Sequence, residues 1–170
     1  MTQEKKQNIK MWALYVLFFL AVRLLQDGIL NKLPIAGTVL NPLPMAAVCV
    51  SIWTGAEKGG LFALIMGLFC AQESGVYGGV LLFSLVCCAL VGGWLCEAVL
   101  NRRTLAAVLL CAMSLAFCLA AEFLFRAWLV GAHIGHLRIA LRQLVLTLPL
   151  APVLHLICRR IRKEGAQWTA

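Results

Sequence analysis

Polar and charged residues along this chain are gathered into short clusters, and what lies between them is apolar. Six apolar blocks result, at 11–26, 36–54, 59–73, 76–99, 105–129 and 139–158. Against the ~20 residues that a helix needs to cross a bilayer, the first and third are short. Glycine and proline mark the joins: DGILNKLPIAG and NPLP between the first two blocks, GAEKGG before the third, ESGVYGG before the fourth and VGAHIGH before the sixth. The arrangement predicts an all-α, polytopic membrane protein of six transmembrane helices with both termini on one side. No internal repeat, linker or low-complexity segment interrupts it.

Composition strengthens this picture. The chain is 62% hydrophobic with a mean hydropathy of +0.91, against the ~45–50% apolar content of a soluble domain. At 170 residues it reads as one integral membrane domain, 1–170, with nothing resembling a soluble catalytic domain. The start, MTQEKKQNIK followed by MWALYVLFFLAV, has the basic and apolar regions of a secretory signal. Arg23 and Gln26 stand where a small-residue cleavage site belongs, so the segment is expected to be retained as the first helix.

Charge gives the orientation. Lys5, Lys6, Lys10, Lys58, Arg102, Arg103, Arg159, Arg160, Arg162 and Lys163 make ten cations on the face shared with the termini, against Lys32 and Arg138 on the other. Cytoplasmic loops carry the excess of Lys and Arg, which makes 1–10 and 159–170 basic cytoplasmic ends and places the AHIGH loop outside. The net charge of +8 is then a topology signal and an attraction to anionic lipid. A nucleic-acid partner would need a basic soluble face with stacking aromatics, and the sequence offers none.

Candidate chemistry is sparse. The eight cysteines all fall within or at the edge of apolar blocks and none forms CxxC, so they read as small packing residues. His133 and His136 have a spacing that two metal ligands can use, with no third ligand nearby. Ser51, Ser74, Ser84 and Ser114 lack an adjacent histidine and carboxylate, and His155 lies where an interfacial histidine is expected. The expectation is a protein that is not an enzyme and uses no cofactor.

Small and charged residues inside the blocks carry more. Ser84, Cys88 and Gly92 recur every four residues, with Ala89 and Gly93 beside them, a strip that lets another helix approach closely. Ser114, Cys118, Glu122 and Arg126 form a second stripe with the same spacing. In a helix from 105 to 129, Glu122 falls about 7 Å beyond the midplane on the external side and Arg126 about 13 Å. Arg23 and Arg142 share that leaflet. A lone mid-bilayer charge costs ~2.5–3.5 kcal/mol on insertion scales. Glu122 is therefore expected to face the bundle interior, held by Arg126 or across helices by Arg142 or Arg23, either fixing the helix arrangement or binding a ligand or partner.

Several stretches, in order, resemble the rod shape-determining protein MreD family: LNPLPMAAVCVSIW, then GLFALIMGLFCAQESGVYGG, then AEFLF, then LPLAPVLHLICRRIRK. The resemblance covers nearly the whole chain. Ser74 and Gly75 match the family's turn after the third helix, and Ala121, Glu122 and Phe123 its late-helix AEF. One departure stands out: GLFCA puts Ala71 where the family usually has an aspartate, so no role of that aspartate carries over.

What the resemblance implies is a non-enzymatic membrane subunit of the bacterial cell-elongation machinery, in the cytoplasmic membrane. Its implied fold is similar to the substrate-binding S components of energy-coupling-factor transporters. Its implied partner is the bitopic protein MreC, and through it RodA, a penicillin-binding transpeptidase and MreB. The alternative is a true vitamin-binding S component. Those carry an AxxxA face on the first helix, whereas here Ala13 is followed four residues later by Leu17. A third reading is an uncharacterised small-molecule permease or lipid scaffold.

Topology is directly testable. Cysteines introduced one at a time into a background lacking the native ones should be reached by impermeant reagent from outside in the AHIGH loop and not at either terminus. External labelling of a terminus would overturn the orientation.

Overall fold

The structure, a computed structural model, describes residues 3–32, 37–73, 75–98, 104–131 and 134–167. Among these the chain is all-helical, with no strand. Helix α1 (Gln3–Leu25) runs into a π-helical turn, Gln26–Leu30. Then come α2 (Leu43–Thr54), α3 (Ala56–Glu73), a short 3-10 turn (Gly75–Tyr77), α4 (Gly78–Ala98), α5 (Thr104–Val130), α6 (Ile134–Thr147) and α7 (Leu150–Gln167).

Three stretches are long and apolar enough to cross a membrane: Ile9–Leu30, Gly78–Ala98 and Thr104–Leu129. A fourth is the pair Leu137–Thr147 and Leu150–Lys163, bent by 46°. The remaining two blocks of the sequence form helices that do not meet that measure. Helix α3 has 18 residues but holds Glu57, Lys58 and Glu73 in its end turns. Helix α2 has 12 residues, about 18 Å of helix against the ~30 Å of a hydrocarbon core.

Local chemistry explains the departures from the expected boundaries. The block 36–54 becomes helical only at Leu43: Pro42 disfavours helical geometry at Asn41 before it, and Pro44 falls in the first turn of α2, where its missing N–H has no helical partner to lose. Asn41 then takes the Leu43 N–H on its side-chain oxygen, at 3.3 Å. Gly55, with φ of 95°, ends α2 in a conformation few side chains adopt, and α3 begins at the next residue. The sixth block is two helices. Pro149 has no N–H to continue α6, which accounts for the bend before α7.

Helix α2 is the centre of the bundle. Every residue from Leu43 to Ile52 is buried, and α1, α3, α4, α5 and α7 all pack on it. A helix that is apolar all round belongs in such a position. The segment 37–42 ahead of it is not helical, yet Thr38, Leu40 and Pro42 are buried. Non-helical backbone at membrane depth is tolerated where protein covers it.

Close approach depends on residues without side chains. Ser51 of α2 donates a short hydrogen bond to the Ala89 carbonyl of α4. A Cβ on Gly59 of α3 or Gly93 of α4 would collide with Ser51, and one on Gly93 would also lie 2.7 Å from the Ala56 Cα. Three helices therefore meet at one serine. On the adjoining face of α4, the Cys88 thiol lies 3.8 Å from that of Cys118 of α5 and 3.6 Å from the Ser114 carbonyl. The Cys49 and Cys111 thiols, 3.6 Å apart, join α2 to α5. All eight cysteines are free thiols, and all but Cys87 are buried. The outer surface is apolar, with Leu105, Phe83, Phe69, Trp94 and Trp128 exposed, as a lipid-facing surface would be.

Packing at Ser51 gives a prediction. Gly93→Ala should lower stability by ~1–3 kcal/mol, the usual cost of overpacking, whereas Gly79→Ala, whose Cβ meets nothing within 4 Å, should not. Thermal unfolding of the two variants in detergent checks it, and equal midpoints would contradict the close approach.

Candidate functional site

Polar side chains converge at one end of the bundle, where the α1 turn, the start of α2, the start of α4 and the last turns of α5 come together. The π-helical turn after α1 brings Arg23, Gln26 and Asp27 to this end. Arg23 Nε lies 2.8 Å from Asp27 Oδ2, and the Asn31 side-chain amide donates to Asp27 Oδ1 at 3.1 Å. The Gln26 Oε1 atom is buried and accepts no hydrogen bond. Asn41 comes from the non-helical lead into α2. Tyr77 comes from the 3-10 turn before α4, its ring edge-on to Phe125 at 5.9 Å. Ser84, one turn into the buried part of α4, donates to its own helix at Val80 and Leu81, at 2.7 and 3.0 Å.

These residues surround a cavity of about 150 Å³. Its polar lining is Arg23, Gln26, Asn41, Tyr77, Ser84 and Glu122, over an apolar floor that includes Leu43 and Leu115. Glu122 and Arg126 form the ion pair that their spacing suggests, with Arg126 Nη2 2.8 Å from Glu122 Oε1. The Arg126 guanidinium also lies 4.9 Å above the Tyr77 ring centre, an arrangement that favours a cation over an aromatic face. A second groove of about 150 Å³ lies between α5 and α6, with Glu122, Phe123, Arg126, Ile139 and Gln143 on its walls. Glu122 thus borders both the inner cavity and the outer groove.

The expected charged residues are not all in one place. Arg23 and Glu122 line the inner cavity, Arg126 lies on the far side of Glu122, and Arg142 occupies an exposed position on α6 beside Arg138 and Leu141. The pair is less enclosed than an interior position implies: the side chains of Glu122 and Arg126 are 38% and 48% exposed in the isolated chain. The stripe Ser114, Cys118, Glu122, Arg126 runs from the buried core outward to this edge. His133 and Ser74 lie outside the described residues, as does the side chain of His136.

Asp27, paired with Arg23, is a residue of this polar end that the apolar pattern does not single out. Its signal was present, since Arg23 and Asp27 have the same spacing as Glu122 and Arg126. Gln26, Asn41 and Tyr77 sit at block edges, where polar residues read as ordinary loop positions.

A second polar group lies at the opposite end. His155 of α7 is 1% exposed and stacks on Trp53 of α2 with ring centres 5.5 Å apart. It belongs to the core rather than to an interface. Arg162 lies 6.0 Å from the Trp53 ring centre, and Tyr15 of α1 is fully buried nearby in the same core. The Tyr15 hydroxyl and His155 Nδ1 are buried without a hydrogen-bond partner.

No family model, curated protein or solved structure matches the chain.

The Glu122–Arg126 pair yields a prediction. Glu122→Gln removes the charge that Arg126 is paired with at a partly exposed edge and should cost up to ~1 kcal/mol, the range of such ion pairs. The double variant Glu122→Gln, Arg126→Gln should cost less than the single one. A double-mutant cycle on thermal midpoints measures the difference, and additive costs would show that the pair is not coupled.

Proposed function

We propose that this chain is a non-enzymatic membrane subunit of the bacterial cell-elongation complex, of the kind that the rod shape-determining MreD family supplies. In this reading it is a six-span bundle of the cytoplasmic membrane, related in fold to the S components, with both termini inside. Helix α2 and its buried lead-in together make the second span. The partner is MreC, bound through the membrane helices and the external rim, and MreC in turn links the chain to RodA, a penicillin-binding transpeptidase and MreB.

One observation carries the proposal. Three of the stretches on which the resemblance rests are separated by tens of residues, yet each contributes a side chain to one cavity: Asn41 from LNPLP, Tyr77 from ESGVYGG and Glu122 from AEFLF. Motifs that meet in space are better accounted for by one shared function than by the separate needs of three helices. The apolar outer surface offers a partner's membrane helix a face to pack on.

The cavity itself favours a second reading, a vitamin-binding S component. Size and surface count against it. Pockets for molecules of that class measure ~300–1,000 Å³, twice or more the about 150 Å³ present. Along α1, Ala13 and Leu17 are both exposed, with Leu17 at 63%, so a bulky side chain stands where a docking face would need a small one.

Purification from the host membrane followed by identification of what travels with the chain separates the two. Recovery of a bitopic shape-complex protein supports the first reading, and recovery of a coupling subunit with paired ATPases supports the second. If MreC still travels with the chain after its own membrane helix is deleted, contact through the membrane helices is wrong.

A further inference from the structure

We infer that Cys88 and Cys118 form a peroxide-sensitive thiol pair: Cys118 takes oxygen from hydrogen peroxide dissolved in the inner cavity, and Cys88 then closes a disulfide that ties α4 to α5. The inference stands on the packing around the cavity and does not depend on the proposed place in cell elongation.

Two strips of small residues bring the thiols together. Cys88 lies one turn beyond Ser84 on α4, and Cys118 one turn beyond Ser114 on α5, so the two backbones can approach closely where the strips meet. The Cys88 and Cys118 sulfurs are 3.8 Å apart. A disulfide bond is ~2.05 Å long, which leaves each sulfur less than about 1 Å to travel. Closeness alone does not single out this pair, since the Cys49 and Cys111 sulfurs are nearer still, at 3.6 Å. Access does. Cys49 and Cys111 are both fully buried, whereas Cys88 and Cys118 keep 8% and 7% exposure. Cys118 borders the inner cavity together with Ser84 and Glu122. Cys88 borders an apolar groove of about 240 Å³ between α4 and α5, beside Gly92 and Phe117. The two thiols are therefore part of the partition between a polar space and an apolar one.

The cavity suits a small, uncharged oxidant. At about 150 Å³ it has room for a few molecules the size of water, each taking ~30 Å³ in the liquid. Its walls carry both donors and acceptors, so hydrogen peroxide can be solvated there as water is. Glu122 at the rim is 38% exposed, which connects the cavity to the surface of the bundle. Cys118, one turn inward of Glu122, is the sulfur on the polar side, where a thiol can give up its proton and act as a nucleophile. It attacks one peroxide oxygen and the O–O bond breaks. The departing hydroxide leaves as water with the thiol proton, and Cys118 becomes a sulfenic acid. The Cys88 sulfur then attacks the Cys118 sulfur, the S–O bond breaks, and hydroxide leaves as water with the Cys88 proton. Two thiols have lost two electrons, and one peroxide has been reduced to two waters.

The test treats the full chain in phospholipid vesicles with hydrogen peroxide, alkylates the remaining thiols after unfolding, and maps linked and oxidised peptides by mass spectrometry. The expected product is a Cys88–Cys118 link that dithiothreitol reverses, with Cys49 and Cys111 still alkylated. Cys88→Ser should lose the link and leave oxygen on Cys118, whereas Cys118→Ser should lose the link and leave Cys88 reduced. Comparison of the two thiol pairs within the unaltered protein needs no variant, so the test stays decisive if either variant fails to fold. Absence of the Cys88–Cys118 link overturns the inference. Equal linking of Cys49 to Cys111 also overturns it, because proximity alone would then decide and the cavity would play no part. Oxygen on Cys88 in the Cys118→Ser protein would overturn the entry of peroxide through the cavity.

Discussion

A backbone inside hydrocarbon must satisfy its own hydrogen bonds or be covered by protein, and α2 with its lead-in meets that demand by burial. The helix is 12 residues long, and the chain reaches it through six residues, 37–42, that are not helical. The lead-in could not face lipid alone, and 12 helical residues are too few to span a bilayer. Their position obliges five other helices to surround them, and the molecule is arranged accordingly. The glycines at 59 and 93 exist where α3 and α4 must come within backbone contact of Ser51, and the small thiols on α4 and α5 let those helices close over the same core.

The polar end of the bundle follows from this arrangement. Because the chain enters α2 without helical hydrogen bonds, Asn41 is needed there to take the Leu43 N–H, and a polar residue so placed brings other polar residues with it. Arg23 and Glu122 border the same space, and each has its counter-charge one helical turn away on its own segment. Pairing within a helix lets charge enter the membrane region already neutralised, so that neighbouring helices can pack without contributing a charge. A cavity lined this way has hydrogen-bonding capacity and little net field.

How far the sequence foretold this differs from element to element. The apolar blocks at 76–99 and 105–129 became α4 and α5 with nearly the same bounds, because continuous hydropathy and helix coincide there. In the block 36–54 hydropathy runs on through 37–42, which are not helical, and Pro42 and Pro44, which mark the true start, read as part of a turn. The last block hid a break for the same reason, since Pro149 interrupts the hydrogen bonds of the helix and leaves its hydropathy intact. Glu122 and Arg126 could be paired from spacing alone. The cavity could not be read, because Gln26, Asn41 and Tyr77 become neighbours only through the packing of helices far apart in sequence.

The break at Pro149 also divides the molecule by how firmly its parts are held. Helix α7 packs against α1, α2 and α5, whereas α6 rests on α5. Local opening is easiest where packed neighbours are fewest, so α6, which meets the bundle chiefly through α5, is held less firmly than α7 beyond the 46° bend. The groove beside Glu122 thus has one wall, α5, fixed in the core and the other, α6, resting mainly on that wall.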